Sequence, residues 1–338
     1  MGIVIREVDF ARDLDALMEV FDECFNMRST RERFEWLYVN NPDGRATAWF
    51  VINDETGEVA GCTAVFPRRV RVAGMREPVT AWNCGDFAIR RRYRTMGAAV
   101  KLRRAAKDGI DAGQSAFLYA HPNDRMLAVH MRAGHRVLGR MVRYARPLRL
   151  RTGSGALDRT SSYAFRWWKA RPFRRGAEVD RVMDGRLPRD LDVLDDMAAG
   201  RNCTALVRDT TYLEWRFIRN PVERSEFLIV RRNGRPVGYL VYVMKGEAAL
   251  AKDWLAVDES ARYDLFADLL EAARQRDAAS VSVVALETHP DLPALRRQGF
   301  LPRPDASSAV TYVAESHTSR GSVVDPKSWY MTVGDRDV

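Results

Sequence analysis

The sequence predicts an α/β chain built from two copies of one unit, and three observations carry that prediction. The order of apolar segments in the first half reads β-α-α-β-β-β-α-β-α-β. The second half repeats short blocks of the first at a nearly constant offset. In the first copy alone, a strand runs into a helix through a basic corner between Trp82 and Arg104.

Residues 2–7 alternate apolar and polar, as a strand with one buried face does. Leu14, Leu17, Met18, Phe21 and Phe25 then fall at helical spacing, with Asp9 or Asp13 as the N-cap. Ser29-x-x-Glu32 has the form of a capping box and opens a second helix carrying Phe34, Trp36 and Leu37, which Asn41-Pro42-Asp43-Gly44 ends. Two hairpins follow, Trp49–Asn53 with Val59–Phe66 around Gly57, and Val70–Ala73 with Val79–Trp82 around Gly74. Beyond the corner come a helix over 97–112, a short apolar strand over 115–120, a break at His121-Pro122-Asn123-Asp124, a helix over 125–132 and a strand over 137–144. Gly- and Ser-rich residues after 150 read as a linker.

The repeat begins where Phe34-Glu35-Trp36-Leu37-Tyr38-Val39-Asn40-Asn41-Pro42 matches Leu213-Glu214-Trp215-Arg216-Phe217-Ile218-Arg219-Asn220-Pro221, 179 residues on. The hairpin turns at Gly57 and Gly234 match 177 residues apart. Asp86-Phe87 then pairs with Asp253-Trp254, His121-Pro122 with His289-Pro290, and Gly134-His135 with Gly299-Phe300. The divisions expected are a unit over 1–150, a linker over 151–186, a second unit over 187–315 and a tail over 316–338.

The corner is where chemistry is expected. Arg90, Arg91, Arg92 and Arg94 precede Gly97, and Ala98, Ala99 and Leu102 begin the helix. A helix start leaves backbone N–H groups unpaired and carries partial positive charge, and a glycine there lets an anion come close to the backbone. Arg94-x-x-Gly97-x-Ala99 after an apolar strand resembles the coenzyme A loop of the GNAT superfamily of acyltransferases. Ile89-x-Arg91-x-Tyr93-Arg94 resembles that family's lead-in, with Arg91 where proline is usual. Asn123, the helix after it and Gly134-His135 resemble the family's closing pattern.

This resemblance spans roughly residues 2–148 and implies two tandem GNAT-like domains, each a mixed, mostly antiparallel sheet flanked by helices. It also implies binding of acetyl-coenzyme A in the first copy. Phe87, Ala88 and Ile89 would pair with the pantetheine arm, and Arg94, Thr95, Met96, Gly97, Ala98 and Ala99 would hold the pyrophosphate. Arg90 or Arg92 would reach the 3′-phosphate, and Asn123 would complete the set. The second copy has Asp258-Glu259 at the matching corner, which would repel a pyrophosphate.

His130 stands where the family often places a tyrosine general acid; otherwise it packs on a helix face. Tyr119 is the rival acid. Asp86 could serve as base, as a ligand of the substrate amine, or as a buried partner for an arginine. The implied reaction is transfer of acetyl to a primary amine by direct attack. Arg208-Asp209-x-x-Tyr212-Leu213-x-Trp215-Arg216 resembles tandem proteins of bacterial surface-polysaccharide biosynthesis, so an amino sugar of a glycan precursor is the expected acceptor.

Composition agrees with a soluble globular chain: 46% hydrophobic and 29% charged residues, with no run long enough to span a membrane. The first residues lack a secretory layout, and the cytoplasm is the expected compartment. Four scattered cysteines form no C-x-x-C pair, so neither a metal site nor a disulfide framework is expected. The net charge of +9 lies mostly in residues 1–150, with 25 Lys/Arg against 18 Asp/Glu. Coenzyme A, nucleic acid or an anionic membrane surface would each suit it. A non-catalytic binding module and an aminoacyl-tRNA-dependent peptidyl transferase are therefore the alternative functions. Nucleic acid is disfavoured because only Tyr93 interleaves the arginines.

Overall fold

The computed structural model describes residues 2–25, 30–94, 97–149 and 177–336. Residues 150–176, which include most of the expected linker, lie outside the described residues, as do Ser29, Thr95 and Met96.

The first copy comprises β1 (Ile3–Glu7), α1 (Phe10–Phe25), α2 (Arg31–Phe34), β2 (Thr47–Asn53), β3 (Val59–Arg71) and β4 (Val79–Ile89). It continues with α3 (Ala98–Asp111), β5 (Phe117–Ala120), α4 (Asp124–Arg132) and β6 (Arg136–Pro147). The second comprises β7 (Ala177–Val182), α5 (Asp192–Ala199), β8 (Ala205–Leu206), α6 (Thr210–Leu213), β9 (Glu226–Arg232), β10 (Arg235–Lys245) and β11 (Ala248–Ala256). It ends with α7 (Glu259–Gln275), β12 (Ser280–Leu286), α8 (Leu292–Arg297) and β13 (Leu301–Val313), followed by α9 (Arg320–Val324) and a segment to Arg336.

The second helix is capped one residue later than the capping-box pattern suggests: Thr30 accepts from the Arg33 N–H. Beyond Phe34 the helix widens into a π-turn over Glu35–Val39, with Asn40 N–H donating to the Glu35 carbonyl at 2.8 Å. Glu214–Ile218 makes the same turn after α6, through Arg219 N–H and the Glu214 carbonyl. The repeat is therefore present in backbone irregularities as well as in residues.

The strands join in one sheet, in the order β1-β2-β3-β4-β5-β13-β6-β12-β11-β10-β9-β7, with β8 added beside β3. The order is symmetric about the β13–β6 contact, but the last strands are exchanged. β13 lies beside β5 of the first copy, and β6 lies beside β12 of the second. At the same pseudo-two-fold, Trp36 and Trp215 stack with ring centroids 5.0 Å apart. Each indole N–H donates to the other's backbone carbonyl, at 2.8 and 3.0 Å.

One sheet face carries a core common to both copies, including Phe34, Trp36, Tyr38, Phe66, Tyr119, Trp215, Phe217, Trp329 and Tyr330. The opposite face packs on α3 in the first copy and on α7 and α8 in the second. Among the described residues no helix is long and apolar enough to cross a membrane.

Candidate active site

β4 and β5 run parallel, but only Trp82 with Leu118 and Asn83 with Tyr119 are in register. From Cys84 onward the strands part, and the edge of β4 facing β5 has no strand partner among the described residues. The other edge stays paired with β3 through Ala88 and Ile89, after a bulge at Asp86–Phe87. Phe87, Ala88 and Ile89 thus lie along an open V whose β5 side has no strand partner among the described residues, the Ile89 carbonyl accepting from Arg94 Nε instead.

Asp86 sits in the bulge at φ +40°, a left-handed conformation that aspartate tolerates better than most residues. Its carboxylate accepts from Arg33 Nη1 at 2.9 Å, Arg33 Nη2 at 2.7 Å and the Tyr38 hydroxyl at 2.8 Å. Burial, and then the Asp86 charge, hold the Tyr38 hydroxyl well above the ordinary phenol range. The π-turn explains the arrangement: residues five apart point away from each other on an α-helix but nearly together on the wider turn. Of the three roles open to Asp86, buried partner of an arginine is the one its hydrogen bonds display.

At the corner most of the arginines are engaged. Arg90 binds Glu19 at 2.6 Å and Glu58 at 2.7 Å, Arg92 pairs with Glu58, and Arg94 Nε donates to the Ile89 carbonyl at 3.1 Å. Arg91 is exposed and has no carboxylate partner among the described residues. Gly97 is the N-cap of α3 at φ +73°, with no side-chain cap and no acid in the first turn. A Cβ built there would meet no described residue within 4 Å. Ala98 is buried beneath that turn.

The second copy closes both features with its own atoms. Asp258 caps α7, accepting from Ala261 N–H at 2.6 Å where the first copy has a bare helix end. β11 and β12 also part, beyond Ala251 and Val283, but residues 330–332 fill the gap. Leu286 N–H donates to the Met331 carbonyl at 3.1 Å, Thr332 bridges to Ala285, and the Tyr330 hydroxyl donates to the Trp254 carbonyl at 2.7 Å. Asp335 then pairs with buried Arg208, which also binds Asp253.

The same segment reaches the base of the first V. The Asp335 carbonyl accepts from Asn83 Nδ2 and from the Tyr119 hydroxyl, both at 3.1 Å. Tyr119 is fully buried, and burial raises its hydroxyl well above the ordinary range. His121 Nε2 lies 3.2 Å from Met331 Sδ, and burial, with the Arg336 charge, lowers its ring to about 3.

His130 and His135 are buried against each other, Nδ1 to Nδ1 at 2.6 Å. Burial, then the Arg103 guanidinium, pushes both rings down, His135 to about 3, so both are neutral near pH 7. A neutral imidazole is not poised to deliver a proton to a thiolate, so His130 in this setting lacks the protonated form the general-acid role needs. Asn123 spends its side-chain oxygen on capping α4, accepting from Met126 N–H at 3.0 Å. Arg33 and Tyr38, the partners of Asp86, are residues that the sequence reading does not single out; only their positions in three dimensions mark them.

No family model and no curated protein matches the sequence. Solved structures do. A GCN5-related N-acetyltransferase from Anabaena variabilis superposes with a TM-score of 0.66 at 13% identity, covering 92% of this chain and 73% of that one. A tandem GNAT protein from the clavulanic acid biosynthesis pathway gives 0.58 at 12% identity, over 92% and 98%. The fold is that of a tandem GNAT-like protein. N-myristoyltransferase of Saccharomyces cerevisiae, solved with bound myristoyl-CoA, is similar over 92% of this chain and 82% of its own, with a TM-score of 0.57 at 10% identity. Within this GNAT architecture, the open V and the bare helix end lie in the first copy.

Proposed function

We propose that the chain is an acyl-coenzyme-A-dependent N-acyltransferase, transferring acetyl from acetyl-coenzyme A to a primary amine. The observation that carries this reading is the contrast between the copies. One keeps an open V beside an uncapped helix N-terminus, and the other fills both. Acyl-coenzyme A supplies an activated thioester. The N–H groups following Gly97 suit its pyrophosphate. The free edge of Phe87–Ile89 suits the amides of the pantetheine arm, as an added strand pairs with a sheet edge.

Backbone N–H groups at the bulge would polarise the thioester carbonyl, a preorganised effect of about 2.7–4 kcal/mol per donor. The amine attacks in its neutral form, so its proton must leave to water or to a base at the V. An amino sugar of a glycan precursor is the acceptor class proposed, on the strength of the sequence likeness over Arg208–Arg216.

The test is a thermal-shift series with acetyl-, propionyl- and octanoyl-coenzyme A on wild type and Gly97→Glu. A ligand at 100 times its Kd adds about 2.7 kcal/mol, roughly 4 °C for a chain of this size. Wild type is expected to shift with acetyl-coenzyme A and the glutamate variant not. A wild type that fails to shift overturns the reading. Thiol release with a panel of amino sugars, amino acids and polyamines then tests the acceptor.

A further inference from the structure

This inference rests on the acyl-transfer reading and concerns how the leaving group is received. Arg103, on α3, is only 3% exposed. Its Nε and Nη1 make no hydrogen bond, and no carboxylate pairs with it among the described residues. A buried cation left unpaired is costly, several kcal/mol even after relaxation. Structures that retain such a group generally have something to place against it.

The surroundings of Arg103 show where that something would lie. The guanidinium stands 5.0 Å over the ring of Phe87, which is half-buried in the part of β4 that has left β5. It lies six residues into α3 from Gly97, about 9 Å along the helix toward the base of the V. From α4 and the start of β6 it faces His130 and His135, both neutral. On its own helix, Lys107 is paired with Asp111 and lies over the ring of Tyr312 from β13, whose hydroxyl donates to the same Asp111. Asp111 is thus already engaged by two donors.

We propose that Arg103 receives the thiolate of coenzyme A as it departs, its free Nε–H and Nη1–H donating to the sulfur. In the step the amine nitrogen forms the C–N bond while the C–S bond breaks. The electron pair stays on sulfur, and the proton from nitrogen goes to water. The sulfur leaves as an anion held by a fixed cation, and it takes a proton from solvent after release. A buried charge does here what an acidic side chain would otherwise do, which fits two imidazoles that cannot.

The experiment needs no acceptor. Binding of coenzyme A and of desulfo-coenzyme A to the full chain is measured calorimetrically between pH 6.5 and 9. A cysteine thiol ionises near pH 8.5 and the alkyl thiol of coenzyme A higher. Coenzyme A is expected to bind at least tenfold more tightly at pH 9 than at pH 6.5, as a bound thiol ionising about two units lower requires. Desulfo-coenzyme A is expected to change less than twofold. Arg103→Met removes the gain, and Arg103→Lys retains part of it.

An identical pH response for the two ligands in wild type overturns the proposal, whether or not the variants fold. So does a gain that survives Arg103→Met. An equal loss of both ligands in Arg103→Met would place the guanidinium on a pantetheine amide instead, and also overturns it. If neither ligand binds wild type, the acyltransferase reading falls and takes this one with it. If both bind with no thiol-dependent pH response, only this one falls.

Discussion

Asp86→Ala removes the acceptor from a bidentate pair whose side chains are 14% (Arg33) and 6% (Asp86) exposed. What remains is a guanidinium in a nearly closed site and a Tyr38 hydroxyl that has lost its acceptor. Removing one partner of a buried pair costs about 3–5 kcal/mol where the other charge keeps no further contact, and the loss here should lie toward the low end because Arg33 also stands over the Phe34 ring. Alanine at φ +40° adds roughly 1 kcal/mol of backbone strain. Asp86→Asn tolerates the same φ and keeps one acceptor oxygen, so it should lose less. Arg33→Met alone strands the carboxylate instead. The double variant Arg33→Met/Asp86→Ala strands neither, so its loss should fall short of the sum of the two singles by about 2 kcal/mol or more. Urea titrations followed by tryptophan fluorescence give the four corners of the cycle. A loss under 1 kcal/mol for Asp86→Ala, or strict additivity, would refute the assignment of Asp86 as a structural partner. The same variants separate the base role: a base would show turnover collapsing in Asp86→Asn while the urea midpoint held.

Two further expectations concern pH and the closed copy. Burial holds His121, His135 and His289 at about 3, 3 and 4. The unfolded rings titrate near 6.5. The unfolded chain therefore binds more protons between those values, and stability is full above pH 6.5 and falls as pH drops toward 4. Each ring contributes up to about 1.4 kcal/mol per pH unit; equal urea midpoints at pH 7.5 and 5.5 would contradict this. Arg208→Leu leaves the carboxylates of Asp253 and Asp335, both almost fully buried, without their shared cation. It should cost about 3–5 kcal/mol at pH 8. Burial already lifts Asp335 to about 6, so protonation should relieve the repulsion and the loss should be smaller at pH 5; an equal loss at both pH values would show that the pair does not carry the effect.

What the sequence discloses is what lies close together along it. The tandem GNAT architecture is readable because Trp36 and Trp215 sit in nine-residue blocks that match position by position. The bare start of α3 is readable because strand, corner and Gly97 are contiguous. Contacts made at a distance leave no such trace. Arg33 and Asp86 are 53 residues apart, and their alignment depends on a π-turn that no local pattern announces. The exchange of β6 and β13 is equally silent. Either strand is long enough to lie beside the four residues of β5. Arg103 reads as an ordinary polar position on an amphipathic helix until its missing partner is seen.

Residues 329–335 show why a repeat in sequence need not be a repeat in chemistry. Trp329-Tyr330-Met331 is too short an apolar run to signal an element, and it reads as part of a tail. Yet these residues are 1–2% exposed and bridge the parted strands of the second copy. A V opened in a parallel strand pair exposes peptide groups on both sides, and a copy not used for a ligand must satisfy them in some other way. The second copy does so with the chain's own backbone, and Asp258 fills the helix end with the chain's own carboxylate. The first copy has neither substitute among the described residues. Its unpaired edge and bare helix end stand open beside Arg103, a cation with donors to spare, and a thioester ligand bearing phosphates would satisfy all three.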